Sequence, residues 1–337
     1  MKKILMILLV FVLAFSLAAC GNNPSEVSEK TDQEHGSQNE AVESNDSTQE
    51  EIENIVAENT ENSETIYPLT VTDAAGNEII FEQKPIRIVS LAPSVTEILF
   101  ALGLDENIVG VTEFDDFPEE ATTKPKIGGI LDGNTEAILA AEPDLVIGGL
   151  SLNEAIITGL AELDIQVFTI EPNSIDEVID DIQLLGLVTG ENDAAQTVVT
   201  QMADEKQQVV EAVSGISEAD KKKVYLEFSE GWTVGSGEFM NELIELSGGI
   251  NVAADQLGWL QISEEKIIED NPDVIIYTTK YMDLKPVITE RSGWSEIAAI
   301  KEDSLIGVND DLISRPGPRI TQGLLEIAKG IYPELVK

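Results

Sequence analysis

The stretch "NTEAILAAEPDLVI" at residues 134–147 occurs a second time, in altered form, as "SEEKIIEDNPDVII" at residues 263–276. Glu136 of the first copy matches Glu265 of the second, and both copies carry a Pro-Asp pair before the final apolar run. Each copy opens with a polar residue suited to capping a short amphipathic helix and closes with a run typical of a buried strand. The duplication therefore predicts two related halves that contain the same helix–turn–strand unit.

Apolar runs bounded by turn residues recur along the chain and predict buried strands. These runs lie at 87–93, 108–112, 144–149, 167–172, 223–228, 273–279 and 305–310. Patterns typical of helices lie at 94–102, 135–141, 154–163, 241–246 and 264–268. Because strands and helices alternate, the sequence predicts parallel α/β sheets.

One interval interrupts this alternation. Residues 174–214 have a helical pattern throughout, with a break at Gly190. We call residues 66–337 the folded body. We therefore divide this body into an N-terminal α/β lobe at 66–173, a helical connection at 174–214 and a C-terminal α/β lobe at 215–337. The predicted fold class is α/β with two Rossmann-like lobes. Ligands of such sheets bind in the crevice beyond the strand ends.

The N-terminus has the features of a secretory signal. Lys2 and Lys3 precede an apolar run at residues 4–15, and "LAAC" ends at Cys20, the only cysteine of the chain. The pattern is similar to the lipobox of bacterial lipoproteins, which implies a signal peptide at 1–19 and lipid on Cys20. We expect a protein outside the cytoplasm, anchored to the cell membrane by that lipid. An uncleaved anchor with an idle cysteine is the alternative.

The segment that follows Cys20 is polar and strongly acidic. Residues 21–65 contain thirteen acidic residues, and Lys30 is their one strong base. Low hydrophobicity with high net charge predicts disorder. We interpret residues 20–65 as the lipidated cysteine and a flexible acidic tether.

Composition excludes several classes of function. The only histidine, His35, lies in the tether, so the body lacks the imidazole that Ser-His-Asp triads, Cys-His pairs and His-based metal sites require. A net charge of −43 argues against nucleic acid as a partner. We therefore expect that the protein is not an enzyme and that it has no catalytic residue, metal site or cofactor. A carboxylate-only enzyme and a ligand sensor remain alternatives.

Four blocks in order resemble one known family: "RIVSLAPSVTEILFALGLDENIVGVTEFDDFP" at 87–118, the stretch at 134–147, "GGINVAADQLGWLQISEEKIIEDNPDVII" at 248–276, and "LISRPGPRI" at 312–320. They are similar to the periplasmic-binding family that delivers cobalamin, ferric siderophores or haem to ABC importers, and most similar to its cobalamin-binding branch. The resemblance implies two lobes joined by a single long helix with the ligand cleft between them. It also implies a monomer that binds a small molecule and an ABC permease dimer with its ATPase subunits.

The resemblance implies a set of ligand-binding residues. Aromatic positions fall on Phe114, Trp232 and Trp259, and Asp311 and Arg315 fall near the opposite rim of the pocket. Aromatic faces suit a large apolar plate edged with amides, such as a corrin. For each tryptophan the alternative is a half-buried core position, and for "EFDDFP" it is a capped surface turn.

The sequence leaves three classes of ligand as alternatives: a corrinoid, a ferric siderophore and haem. Ile130 and Gly149 stand near positions where better-studied cobalamin binders have tryptophan. Anionic siderophores and haem call for basic or tyrosine groups, and the chain has four arginines in all. One of these, Arg319, suits an internal ion pair as well as a ligand contact. A hydroxamate siderophore is therefore the main alternative to a corrinoid, with haem as a further one.

The repeated unit itself has a role implied by the resemblance. The glutamates of the family that match Glu136 and Glu265, one on each lobe, dock onto arginines of the two permease subunits. The alternative is that these glutamates only stabilise the positive ends of their helices.

A substitution at the lone cysteine tests the anchor. We expect Cys20→Ser to abolish lipid attachment and to release the protein or leave it unprocessed, with ligand binding by the folded body intact. Metabolic lipid labelling and membrane fractionation measure this. A Cys20→Ser protein that still carries lipid and sediments with membranes would show that the lipoprotein interpretation is wrong.

Overall fold

Two four-stranded parallel sheets, one in each half of the chain, form the framework of this protein. The computed structural model describes residues 64–131, 133–149, 152 and 154–337. The predictions for the signal peptide, for Cys20 and for nearly all of the acidic tether concern residues outside these ranges. In the described part of the chain, no helix is both long enough and apolar enough to cross a membrane.

The N-terminal half begins with an antiparallel hairpin and continues into a parallel sheet with the strand order β4-β3-β5-β6. Its strands are β1 (Leu69–Thr72), β2 (Glu78–Phe81), β3 (Ile88–Ser90), β4 (Ile108–Gly110), β5 (Leu145–Gly149) and β6 (Gln166–Ile170). Its helices are α1 (Pro93–Ala101), α2 (Thr135–Ala140) and α3 (Glu154–Ala161), with short 3₁₀ turns at Asp105–Asn107 and Glu119–Thr123.

The C-terminal half repeats this arrangement with the strand order β12-β11-β7-β9, and adds a two-stranded antiparallel sheet of β8 and β10, the β8–β10 sheet. Its strands are β7 (Lys223–Glu227), β8 (Trp232–Val234), β9 (Ile250–Asn251), β10 (Trp259–Gln261), β11 (Val274–Thr278) and β12 (Leu305–Val308). Its helices are α6 (Phe239–Leu246), α7 (Glu264–Asp270), α8 (Lys285–Glu290), α9 (Ala298–Lys301), α10 (Asp310–Ser314) and α11 (Ile320–Ile331), with a 3₁₀ turn at Trp294–Glu296.

The two sheets have the same topology. Numbered within its own half, each sheet has its strands in the order 2-1-3-4, and the repeated sequence supplies the third strand, β5 or β11. Both strands are covered on both faces, because Leu145, Val146, Ile147, Ile275 and Ile276 are all fully buried. Burial on both faces is why these strands read as continuous apolar runs rather than as alternating patterns.

The two copies of the repeated unit are built alike at the helix start. The side chain of Asn134 accepts a hydrogen bond from the backbone N–H of Ala137 at 3.2 Å. In the second copy, Ser263 accepts from Lys266 N–H at 3.2 Å. Each cap satisfies one of the backbone donors that a helix leaves free in its first turn. The predicted caps are confirmed.

The two copies are also alike at the helix end. The residue before the proline has a left-handed backbone in both, with φ of 46° at Glu142 and 48° at Asn271. The aspartate after each proline then accepts from the backbone of the neighbouring strand. Asp144 accepts from Arg87 N–H at 3.0 Å, and Asp273 accepts from the N–H of the equivalent strand residue, Lys223, at 2.8 Å. The Pro-Asp pair therefore ties the third strand to the first in each lobe.

Two helices, α4 (Ile175–Thr189) and α5 (Asn192–Val213), fill the interval between the lobes. The predicted break is Gly190, which caps α4 in a left-handed conformation with φ of 66°. With 22 residues, α5 is about 33 Å long and packs against both α1 and α11. One hydrophobic cluster runs through this region and contains Ile98, Met202 and Leu324. The lobes are thus joined by a long helix and by a shared core.

The predicted fold class is confirmed: two α/β lobes are joined by a long helix, and each of the predicted strands and helices is found at its place in the chain. The N-terminal end of the described region adds one contact. Thr65, the last residue of the segment interpreted as a tether, is buried and donates its hydroxyl to Leu187 O of α4 at 2.9 Å.

Candidate functional site

A cleft of about 580 Å³ lies between the lobes, at the carboxyl ends of their strands. The N-terminal lobe lines it with the segment after β3, the turn after β4 and the ends of β5 and β6. The C-terminal lobe lines it with the segment after β11 and with α10 and the turn that follows. The lining residues are Ala92, Pro93, Ser94, Val95, Phe114, Ile130, Gly149, Ile170, Glu171, Pro172, Tyr281, Asp311, Ser314, Arg315 and Pro316. This is the crevice in which parallel α/β sheets bind ligands.

Phe114 lies in the turn after β4, and its ring is 55% exposed at the cleft. The hydroxyl of Thr112 shapes this turn, because it accepts from Phe114 N–H at 3.2 Å and donates to the carboxylate of Asp115. Burial raises the pKa of Asp115, although hydrogen bonds from Thr112 and Thr96 oppose the rise. The "EFDDFP" stretch is therefore a structured turn that also presents an aromatic ring to the cleft.

Trp232 and Trp259 lie on the β8–β10 sheet, where Trp232 pairs with Gln261 and Trp259 with Val234. Their exposed fractions are 39% and 44%, so neither is a core residue. The described residues that line the 580 Å³ cavity do not include them. Because β8 follows β7, the β8–β10 sheet extends from the carboxyl edge of the four-stranded C-terminal sheet, the same edge that bounds the cleft.

Neighbouring side chains hold both tryptophans in place. The ring of Phe228 meets Trp259 edge-on, with 5.0 Å between the ring centroids. Before Trp232, the N–H of Gly231 donates to the carboxylate of Glu227 at 2.9 Å. That buried carboxylate also pairs with Arg291 through two hydrogen bonds. The β8–β10 sheet is thus anchored by the buried ion pair of Glu227 and Arg291, which belong to the same lobe.

Arg315 lies at the base of the cleft and connects the two lobes. Its guanidinium pairs with Asp116 at 2.7 Å and Glu97 at 3.3 Å in the N-terminal lobe, and with Asp311 at 3.1 Å in its own lobe. Arg319 completes the connection, since it donates to both oxygens of Glu97 at 2.8 and 2.6 Å. The structure therefore gives Arg319 the internal ion pair that the sequence left as one of two alternatives.

Lys280 adds a second connection between the lobes. Its ammonium pairs with Asp116 and with Asp311, each at 2.5 Å. Burial disfavours the charged form of Asp116, but hydrogen bonds from Lys280 and Arg315 outweigh that cost and lower the pKa of the carboxyl. Burial also opposes the charge on Arg315, yet hydrogen bonding to Asp116 and the nearby carboxylates raise the pKa of the guanidinium. These groups remain charged at neutral pH.

The structure brings Phe114, Asp311 and Arg315 together around one cavity, and Ile130 and Gly149 line the same cavity. Sequence reasoning missed Tyr281, which lines the cleft and is 69% exposed. Its position directly after a predicted buried strand is a signal that would have found it, because carboxyl ends of parallel strands face the cleft.

Glu136 and Glu265 are both exposed and both lie in the first turn of their helices, α2 and α7. A helix that connects two parallel strands runs back against them, so its N-terminus lies at their carboxyl edge. Each lobe therefore presents one of the two glutamates at the edge that faces the cleft.

Comparison with known proteins identifies the family. A family profile described as "Periplasmic binding protein" matches residues 88–312, about two thirds of the chain. This chain belongs to the periplasmic binding protein family. Family members carry solutes for transport and are not enzymes, as the sequence predicted.

Individual members of the periplasmic binding protein family resemble the chain over most of its length. An uncharacterised ABC transporter substrate-binding lipoprotein of Bacillus subtilis, YvrC, is 36% identical over 81% of this chain and 88% of its own length. A cobalamin-binding protein of Halobacterium salinarum is 28% identical over 79% of this chain and 74% of its own. The crystal structure of a possible iron-binding (periplasmic solute-binding) protein from Staphylococcus epidermidis has a TM-score of 0.65 and 32% identity, and covers 74% of this chain and 100% of that one.

The ion pairs at the base of the cleft lead to a stability prediction. Glu97→Gln removes a buried carboxylate that neutralises both Arg315 and Arg319, so we expect a loss of about 3 to 5 kcal/mol in the free energy of unfolding. Urea unfolding followed by circular dichroism measures the loss. The matched control is Glu191→Gln, because Glu191 pairs with Lys84 at 2.6 Å in a partly exposed setting. Its loss should be below about 1 kcal/mol, and equal losses in the two variants would contradict the prediction.

Proposed function

We propose that this protein captures a corrinoid of the cobalamin type outside the cytoplasmic membrane and delivers it to the permease of an ABC importer. The protein has no cofactor of its own, and the corrinoid is its cargo. Lipid on Cys20 holds it to the membrane, and it acts as a monomer with a permease dimer and its ATPase subunits.

The observation that carries this proposal is the chemistry of the cleft. Most of its lining is apolar, and exposed aromatic rings stand in that lining on both lobes, at Phe114 and Tyr281. Two further exposed rings, Trp232 and Trp259, lie on the β8–β10 sheet of the C-terminal lobe. The basic group in that lining, Arg315, is neutralised by carboxylates. A large plate with apolar faces and uncharged amide edges suits such a surface, because aromatic faces supply contact area and a few polar groups fix orientation.

Relatives support a corrinoid and one alternative. The cobalamin-binding protein of Halobacterium salinarum supports the corrinoid. The possible iron-binding protein of Staphylococcus epidermidis supports an iron complex as the cargo. A ferric siderophore of the hydroxamate type is then our main alternative, because its iron complex need not be anionic. Haem is a third candidate, but its propionates call for the basic groups that are already paired in this cleft.

Direct binding tests the proposal. Isothermal titration of the purified body with cyanocobalamin, a ferric hydroxamate and haem should give saturable one-to-one binding for cyanocobalamin and the lowest Kd for it. Tight binding of the ferric hydroxamate with none of cyanocobalamin would replace the proposal by its alternative. Release of a chemically altered ligand would contradict a carrier function altogether.

The two tryptophans of the β8–β10 sheet, Trp232 and Trp259, give a second prediction. We expect Trp232→Ala and Trp259→Ala each to weaken cyanocobalamin binding by roughly 1 to 3 kcal/mol, the scale of a lost aromatic contact with its buried area. The matched control is Trp294→Phe, because Trp294 is buried in the core of the C-terminal lobe and is the only other tryptophan. Its affinity should be that of the wild type. If both alanine variants fold and bind normally, the two rings do not belong to the site.

We further propose that Glu136 and Glu265 are the contacts for the permease. They are exposed on equivalent helices of two lobes with the same topology, at the edge that faces the cleft. A permease dimer presents two equivalent subunits, so two equivalent contact residues, one on each lobe, fit its symmetry. Charges at the rim of an interface chiefly govern encounter and register.

Charge reversal tests this docking proposal. The double variant Glu136→Arg/Glu265→Arg should bind the permease poorly and support little uptake, with ligand affinity unchanged, and each single variant should lose part of the uptake. The control is Glu162→Arg/Glu302→Arg, which makes the same charge change at exposed sites beyond other helices, one in each lobe. Uptake at the wild-type level by the first pair, at normal expression, would leave these glutamates with no role beyond stabilising their helices.

A further inference from the structure

Six charged side chains form one ion-pair cluster between the lobes, next to the cleft that Asp311 and Arg315 line, and their charges balance. Three are acidic and three are basic: Glu97, Asp116 and Asp311 against Lys280, Arg315 and Arg319. Every basic member pairs with a carboxylate at 3.1 Å or less. This cluster therefore offers the cleft no unpaired positive charge.

Asp116 differs from the other two carboxylates in its exposure. Its side chain is 42% exposed, whereas the side chains of Glu97 and Asp311 are 2% and 6% exposed. It also contacts two bases of the opposite lobe at once, with one oxygen on Lys280 and the other on Arg315. Asp116 is thus the most exposed carboxylate of the cluster, and it pairs directly with Arg315, which lines the cleft.

We infer that Asp116 neutralises the basic groups that an acidic ligand in the cleft would need, Arg315 of the cleft lining and its neighbour Lys280, and that it thereby restricts the cleft to ligands without net negative charge. The inference rests on the proposed function and adds the charge class of the cargo to it. Asp116 acts as a specificity-determining residue, since it removes a binding interaction from anionic ligands.

Electrostatics explains why it would cost free energy for an anionic ligand to replace Asp116 as the partner of Lys280 and Arg315. To reach Lys280 and Arg315, the ligand would have to displace contacts of 2.5 and 2.7 Å and leave the Asp116 carboxylate beside it without a partner. Like charges at such distances repel, and removing one partner of a buried charge is costly. The chain as a whole carries a net charge of −43, which adds a repulsive field for anions.

Two pairs of probes compare a neutral with an anionic ligand, and the first pair also keeps the shape nearly constant. The first pair is cyanocobalamin and a cobalamin monocarboxylic acid, in which one peripheral amide is replaced by a carboxylate of nearly the same shape. The second pair is a neutral ferric tris-hydroxamate, ferrichrome, and a strongly anionic ferric tris-catecholate, ferric enterobactin. Kd values for each pair are measured by titration with the wild type, with Asp116→Asn and with Asp116→Glu.

In the wild type, the anionic member of whichever pair binds should bind about tenfold more weakly than its neutral partner, which corresponds to about 1.4 kcal/mol. Asp116→Asn removes the charge and keeps the shape, so the ratio of the two Kd values should shift about tenfold towards the anion. Asp116→Glu keeps the charge and should keep the discrimination. The control is Asp303→Asn, which makes the same charge change at an exposed pair with Lys285 and should leave the ratio unchanged.

Different outcomes overturn different claims. If the wild type binds the anionic member as tightly as the neutral one, or if Asp116→Asn folds and leaves the ratio unchanged, the inference is wrong even though corrinoid capture stands. If only the siderophore pair binds and the predicted discrimination is present, the corrinoid proposal is wrong and the inference stands. A wild-type protein that binds no member of either pair overturns both.

Discussion

The relation between the two lobes depends on a buried carboxylate, Glu97, which is shared by Arg315 and Arg319. Charges taken out of water cost several kcal/mol each, and only complete pairing offsets the cost. An altered lobe arrangement would break the pairing and leave charges unneutralised at the base of the cleft. The cluster therefore acts mainly as a geometric constraint: it permits one arrangement of the lobes and disfavours others.

The helical connection reinforces this constraint by a different kind of force. Helix α5 packs on α1 of the first lobe and α11 of the second, and the hydrophobic cluster around it contains residues from both lobes. Opening the lobes far would expose that apolar surface to water as well as break the ion pairs. The two effects together favour a cleft that is largely preformed, in which rim side chains adjust to the ligand more than the lobes do.

The sequence predicted those parts of the fold that depend on local pattern. Apolar runs such as the one that forms β5 can be recognised in the sequence, because burial on both faces of a strand requires continuous apolar residues. The two small antiparallel sheets, β1–β2 and β8–β10, were missed, since exposed positions interrupt their short strands. The ion cluster was out of reach for a different reason. Arg315 and Asp116 are 199 residues apart, and a chain with 63 acidic residues gives no sign of which ones meet a base.

A cleft whose cationic groups are committed to internal pairs has to obtain its affinity elsewhere. In this chain the remaining source is apolar contact area, and the exposed rings of Phe114, Trp232, Trp259 and Tyr281 provide it on both sides of the opening. Such contacts gain strength with the size of the ligand's apolar faces, whereas they respond little to its charge. The ion cluster and the aromatic rim are therefore complementary: the first fixes the lobes and leaves no free cation for an anion to pair with, and the second provides contact area for a large, flat ligand. A small inorganic anion or a highly charged chelate would gain little from either.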